Sequence, residues 1–112
     1  MPCVNNDTMI DFAYNVAKGT MDETNRTVSG TVTDKDDDVI IDEKKFKKAF
    51  CSSSTSKSDK LSAISVVEKT VDGLKMLEDR GVVTSLSAEN RKKFKKMQTF
   101  YSTSLKVMKD CV

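Results

Sequence analysis

A chain of 112 residues that is 38% hydrophobic and 32% charged has room for one modest core and reads as a single domain spanning residues 1–112. The complete absence of histidine excludes Ser-His-Asp and Cys-His catalysis and leaves a zinc site only the three cysteines plus a carboxylate. Nowhere does the chain approach the ~18 consecutive apolar residues of a membrane span, so it is expected to be soluble.

The predicted elements are helical. A first helix is expected over about 7–18, where Met9, Phe12, Ala13, Val16 and Ala17 follow the spacing of one helical face, with Asn6 or Asp7 as cap and Lys18-Gly19 as stop. Residues 19–41 are expected to form an extended loop. Thr27–Thr33 is rich in β-branched residues, but Gly30 interrupts it and no partner strand is evident. A second helix is expected over 42–51, capped by Asp42, with Ile41 and Phe46 as a hydrophobic staple and Phe46, Ala49 and Phe50 facing inward. Ser52–Ser58 reads as a polar linker.

The third helix is expected over 59–80. Leu61, Ile64, Val67, Val71, Leu74 and Leu77 form its stripe, widened by Ala63, Val66 and Met76. Gly73 lies inside it and predicts close approach of a neighbouring helix, while Arg80-Gly81 is a stop signal. After a connection of a few residues comes the fourth helix, over 87–110, with Ser87 as N-cap and Phe94, Met97, Tyr101, Leu105 and Met108 as its stripe. The expected fold is all-α: a small four-helix domain with a long antiparallel C-terminal pair and an extended loop after the first helix.

Charge is divided unevenly. Residues 1–42 hold nine acids and three bases, residues 43–112 eight acids and sixteen bases, so the halves carry −6 and +8. A shared KKFKK motif places Lys44, Lys45, Lys47 and Lys48 on the second helix and Arg91, Lys92, Lys93, Lys95 and Lys96 on the fourth. In both copies the phenylalanine points inward and the bases fan outward, a device that suits an acidic protein or a sulfated glycan. Nucleic acid is disfavoured, because exposed aromatics are few and the only arginines are Arg26, Arg80 and Arg91.

Asp34, Asp36 and Asp38 fall at positions 1, 3 and 5 of an EF-hand-like loop and are weak metal candidates. Position 6, where the turn needs glycine, is Val39. Position 12, where the bidentate glutamate belongs, is Lys45. No cofactor is indicated. Cys3, Cys51 and Cys111 are disulfide candidates, with Cys3–Cys111 and Cys51–Cys111 the expected pairings; the odd thiol is free or links two chains into a dimer. The sequons Asn6-Asp7-Thr8 and Asn25-Arg26-Thr27 would make a secreted form a glycoprotein. No leader is evident, since Met1-Pro2-Cys3 opens onto polar residues, and the secreted reading takes any leader as already removed.

These features point to a secreted, non-enzymatic interaction protein that binds another protein in signalling, defence or host–parasite contact. The alternatives are a carrier of a small hydrophobic ligand, such as a lipid, behind the methionine-rich stripe, and a degenerate EF-hand-like cation-responsive module. A reduced cytoplasmic protein is the alternative location.

Overall fold

A computed structural model describes residues 5–52 and 54–112. Four α-helices, α1 (Asn6–Thr27), α2 (Glu43–Cys51), α3 (Lys57–Asp79) and α4 (Ala88–Lys109), make it predominantly helical, with one hairpin of β1 (Val32–Asp34) and β2 (Val39–Ile41) between α1 and α2. The all-α class and the long C-terminal helix pair are as the periodicity predicts.

α1 runs well past the expected stop at Gly19. Its buried face is Ile10, Tyr14, Ala17 and Met21, one position round from the expected stripe. Phe12 and Val16, expected inside, are 73% and 55% exposed. The stripe that is actually buried continues across Gly19 to Met21, so burial of a further turn offsets the cost of about 1 kcal/mol that a mid-helix glycine imposes. The start is set by Asn5, whose side chain accepts from the Thr8 N–H at 2.7 Å, rather than by Asn6 or Asp7.

The segment after α1 is a hairpin, not simply an extended loop. Val32 pairs with Ile41, Thr33 with Ile40 and Asp34 with Val39. Gly30 takes a left-handed φ of 79° and turns the chain into β1. Lys35 and the three aspartates 36–38 make the turn, closed by Lys35 N–H donating to Asp38 O at 2.8 Å. Two three-residue strands are not stable alone. Here Val32 and Val39 are buried in the core, and the Asn25 side chain completes the free edge of Val32, accepting from its N–H at 2.7 Å and donating to its carbonyl at 2.8 Å.

The caps of α2, α3 and α4 are Asp42, Ser56 and Ser87, each accepting from the N–H three residues on. α3 ends at Gly81, whose φ of 79° favours glycine, and a 3₁₀ turn (Val82–Ser85) leads to α4. Gln98 reaches Glu78 at 3.3 Å and Lys109 reaches Glu68 at 3.1 Å, so α3 runs antiparallel to α4. α1 runs parallel to it, with Asp7 beside Ser87, Asp11 beside Lys93 and Thr20 beside Tyr101. α2 lies along the last turns of α4, joined there by Glu43–Lys106 at 3.4 Å and by the Cys51–Cys111 disulfide pair, whose Cα atoms are 5.4 Å apart.

α4 is therefore the helix that the others cover. Its buried residues, Asn90, Phe94, Met97, Phe100, Ser104, Val107 and Met108, take up a wider arc than a single stripe, and Tyr101 and Leu105 are half-buried at its margin. One core cluster gathers Phe94, Met97 and Phe100 with α1, the hairpin, Leu74 and Leu86; a second gathers Val107 and Met108 with Phe46 and Ile64, and Ile41 packs against both. On α3, Leu61, Val66 and Met76 stay exposed, leaving its stripe narrower than expected.

No helix approaches Gly73: a Cβ built there has nothing within 4 Å. The substitution Gly73→Ala is thus expected to stabilise α3 by about 1 kcal/mol through helix propensity alone. Thermal unfolding should show a midpoint raised by roughly 4 °C; a lowered midpoint would mean that something packs on this position.

Candidate functional site

The two basic clusters and the acidic run are the charged features to place. α4 presents its cluster toward the hairpin, because Phe94 and Met97 are held in the core and the lysines between them emerge at its edge. There the acidic run meets them. Lys92 Nζ lies 3.0 Å from Asp36 and 3.5 Å from Asp37, Lys95 is 3.8 Å from Asp38, and Lys96 is 2.7 Å from Asp34. On the α1 side Lys93 is 3.0 Å from Asp11, and Lys18 is 3.7 Å from Asp34. The two ammonium groups of Lys93 and Lys96 also sit over the Tyr14 ring, at 5.6 and 6.0 Å from its centroid. Arg91 turns the other way and donates to the Val83 and Thr84 carbonyls.

These contacts shift proton affinities. The Lys92 hydrogen bond, then its charge, holds the Asp36 carboxyl below the usual carboxylate range, and the same bond raises Lys92. Burial works to lower Lys96, but its bond to Asp34 and the neighbouring negative charges carry it upward overall. Between α1, β1 and α4 the lysines and aspartates enclose a groove of about 550 Å³ floored by Tyr14 and walled by Lys18, Asp34, Lys92, Lys93 and Lys96.

The second cluster is placed differently. Lys44, Lys45, Lys47 and Lys48 are all exposed. Among the described residues none of the four has a carboxylate within ion-pair distance, although ten such pairs form elsewhere. At 100° per residue, Lys45 and Lys47 flank the inward face of α2 while Lys44 and Lys48 stand opposite it. Beside them, between α1 and α2, lies an open cleft of about 210 Å³ lined by Phe46, Ala49 and Phe50 on one side and by Thr20, Glu23, Thr24 and Thr27 on the other. Its threonines are less polar than they look. Thr20, Thr24 and Thr27 donate their hydroxyls to the carbonyls of Val16, Thr20 and Glu23, four residues back on their own helix. Their hydrogen-bonding needs are met within α1, so the cleft is mostly apolar; its one charged lining residue, Glu23, is paired with Arg26 at 2.6 Å, and the lysines of α2 lie outside its lining.

The structure thus separates two clusters that the KKFKK motif presents as equivalent: the α4 copy is internally compensated and the α2 copy is open. It also disperses the metal candidates. Asp34, Asp36 and Asp38 each face a different lysine, Val39 is buried in β2 where the calcium loop needs glycine, and among the described residues no group of three or more His, Cys, Asp or Glu is gathered as for a metal ion. Cys3 lies outside the described residues, and so does any pairing it makes. Both sequon asparagines use their side-chain nitrogens within the fold, Asn6 on Ser85 Oγ at 2.9 Å and Asn25 on the Val32 carbonyl. Among the described residues no helix is long and apolar enough to cross a membrane.

A polar junction absent from the sequence reading fixes α1 to α4. The Asp7 carboxylate accepts from the Ser87 N–H at 3.0 Å and from Asn90 Nδ2 at 2.8 Å, and Asn90 is itself buried. The only hint in the sequence is an asparagine three places after the Ser87 cap, a pattern too common to act on. Comparison with known proteins returns no match to a family model, to a curated protein or to a solved structure.

Asp7 is held below the usual carboxylate range, first by the Ser87 N–H and then by Asn90. A carboxyl that binds its proton less readily when folded stabilises the fold above its unfolded value, near 3.8 for both Asp7 and Asp36, and that contribution is lost as pH falls through the lower folded value. Stability measured by denaturant at stepped pH should therefore drop below about pH 4. Asp7→Asn should be less stable than the parent at neutral pH and nearly level with it at the acid end; parallel curves would contradict this assignment.

Proposed function

We propose that the protein is a secreted, non-enzymatic interaction module that binds an acidic protein through the α2 face. The observation that carries this reading is the open α2 cluster, four lysines without an ion-pair partner among the described residues, next to a mostly apolar cleft. Unpaired like charges on one short helix are unfavourable to one another and gain most from a partner of opposite sign. They supply steering and orientation, and the cleft at Phe46, Ala49 and Phe50 supplies the apolar contact that surface charge alone does not give. Extracellular location is supported by the Cys51–Cys111 pair, which persists in an oxidising compartment.

The small-ligand carrier is less well supported. The two apolar clefts, of about 210 Å³ between α1 and α2 and about 250 Å³ between α3 and α4, fall below the ~300–1,000 Å³ of pockets that enclose drug-sized ligands.

Two matched variants test the proposal against immobilised poly-glutamate. Lys45→Ser with Lys47→Ser, the two lysines that flank the cleft side of α2, and Lys92→Ser with Lys95→Ser remove the same charge. At about 0.1 M salt, where the Debye length is ~10 Å, the α2 variant should lose about tenfold in affinity, or ~1.4 kcal/mol, while the α4 variant changes little. Equal losses would show that net charge, not the α2 face, governs binding.

A further inference from the structure

The geometry points to a second, covered acceptor surface: the basic face of α4 at Lys92, Lys95 and Lys96 is a docking site for an extended acidic peptide segment, and the hairpin turn of the same chain occupies it as a displaceable cover. This does not rest on the α2 reading.

The spacing of the α4 lysines matches that of alternate residues in an extended chain. Lys92 and Lys96 are four residues apart on one helix, a rise of about 6 Å. Alternate residues of an extended chain are separated by about 6.6 Å. Asp34 on Lys96 and Asp36 on Lys92 realise this match in the protein itself, at 2.7 and 3.0 Å. The face therefore selects carboxylates at every second position of a near-extended backbone, and such a segment from a partner could make the same contacts.

The hairpin is anchored unevenly. Its body is held by the buried Val32 and Val39, by the two bonds from Asn25 to Val32 and by the Asp42 N–H donating to the Thr31 carbonyl at 2.8 Å. The turn is held only by local bonds, Lys35 N–H to the Asp38 carbonyl and Val39 N–H to the Asp38 carboxylate, each 2.8 Å, and by surface ion pairs. Asp36 and Asp37 side chains are 87% and 78% exposed and meet α4 only through Lys92. Exposed pairs of this kind contribute about 0–1 kcal/mol each. The turn can leave while the strands stay, which frees Lys92 and Lys95; Asp34 remains on β1, so at Lys96 an incoming carboxylate takes its place by turning the exposed Asp34 side chain aside, and the groove of about 550 Å³ over Tyr14 is where the incoming chain would lie.

The probe is a fluorescent peptide of alternating aspartate and serine, titrated at about 0.15 M salt, where screening acts beyond ~8 Å. The protein carries Lys44→Ser, Lys47→Ser and Lys48→Ser, so that a negative result bears on α4 alone. Adding Asp34→Asn and Asp36→Asn uncovers Lys96 and Lys92 and should tighten peptide binding about tenfold. A control with Asp72→Asn and Asp79→Asn changes net charge equally on exposed positions of α3 and should leave affinity unchanged. Adding Lys92→Ser and Lys96→Ser to the uncovered form should abolish the gain, with circular dichroism confirming that each variant is folded. Equal tightening in the control, no tightening in the uncovered form, a gain that survives loss of the two lysines, or a gain seen with a heparin oligosaccharide but not with the peptide would each overturn the proposal.

Discussion

Burial of α4 on several sides is the constraint that the rest of the structure answers to. A 22-residue helix with Phe94, Met97, Phe100, Val107 and Met108 all withdrawn from water cannot be covered by one neighbour. α3 covers it from the antiparallel side, α1 from the parallel side, the hairpin closes the gap over its first half and α2 closes the second. This explains why α2, only nine residues long, is tied to the end of α4 both by Phe46 in the shared core and by the Cys51–Cys111 pair. Oxidised to a disulfide, this pair, 60 residues apart, would restrict the unfolded chain by on the order of 4 kcal/mol in the loop-entropy account. That is a large contribution for a domain whose second core cluster contains only four fully buried residues.

The charge asymmetry of the chain follows from the same arrangement. The acidic N-terminal part and the basic C-terminal part are brought into register because α1 and the hairpin lie along the first half of α4. Asp11, Asp34, Asp36, Asp37 and Asp38 then fall opposite Lys92, Lys93, Lys95 and Lys96. A sequence that looks like two oppositely charged surfaces folds so that much of the opposition is internal. Among the described residues the bases left without an ion pair include Lys57, Lys69 and Lys75 spread along α3, but on α2, beyond the reach of the acidic turn, four of them fall within five residues, and the proposed binding role rests on this clustering.

Much of the fold was legible from periodicity and caps. Asp42 and Ser87 cap the helices they were expected to cap, and Gly81 ends α3. The misreadings have identifiable causes. On α1, Met9, Phe12, Ala13, Val16 and Ala17 form as good a stripe as Ile10, Tyr14, Ala17 and Met21, and only the neighbouring helix decides between them. Choosing the former also moved the helix end to Gly19. The strand Val39–Ile41 is three residues long and follows an acidic run, so its pairing with Val32–Asp34 carries almost no local signal; the Asn25 side chain and the core beneath make it a strand. At the candidate site, the residue types were visible and their compensation was not. Nothing local in KKFKK distinguishes the copy that meets five aspartates from the copy that meets none.

Amide hydrogen exchange followed by mass spectrometry is the most direct test of α4 as the covered centre. Fragments spanning Phe94–Val107 should exchange slowest, at the rate of global unfolding, with α1 and the central part of α3 next and the 35–38 turn fastest. Exchange of the Phe94–Val107 fragments as fast as that of the 35–38 turn would contradict the account.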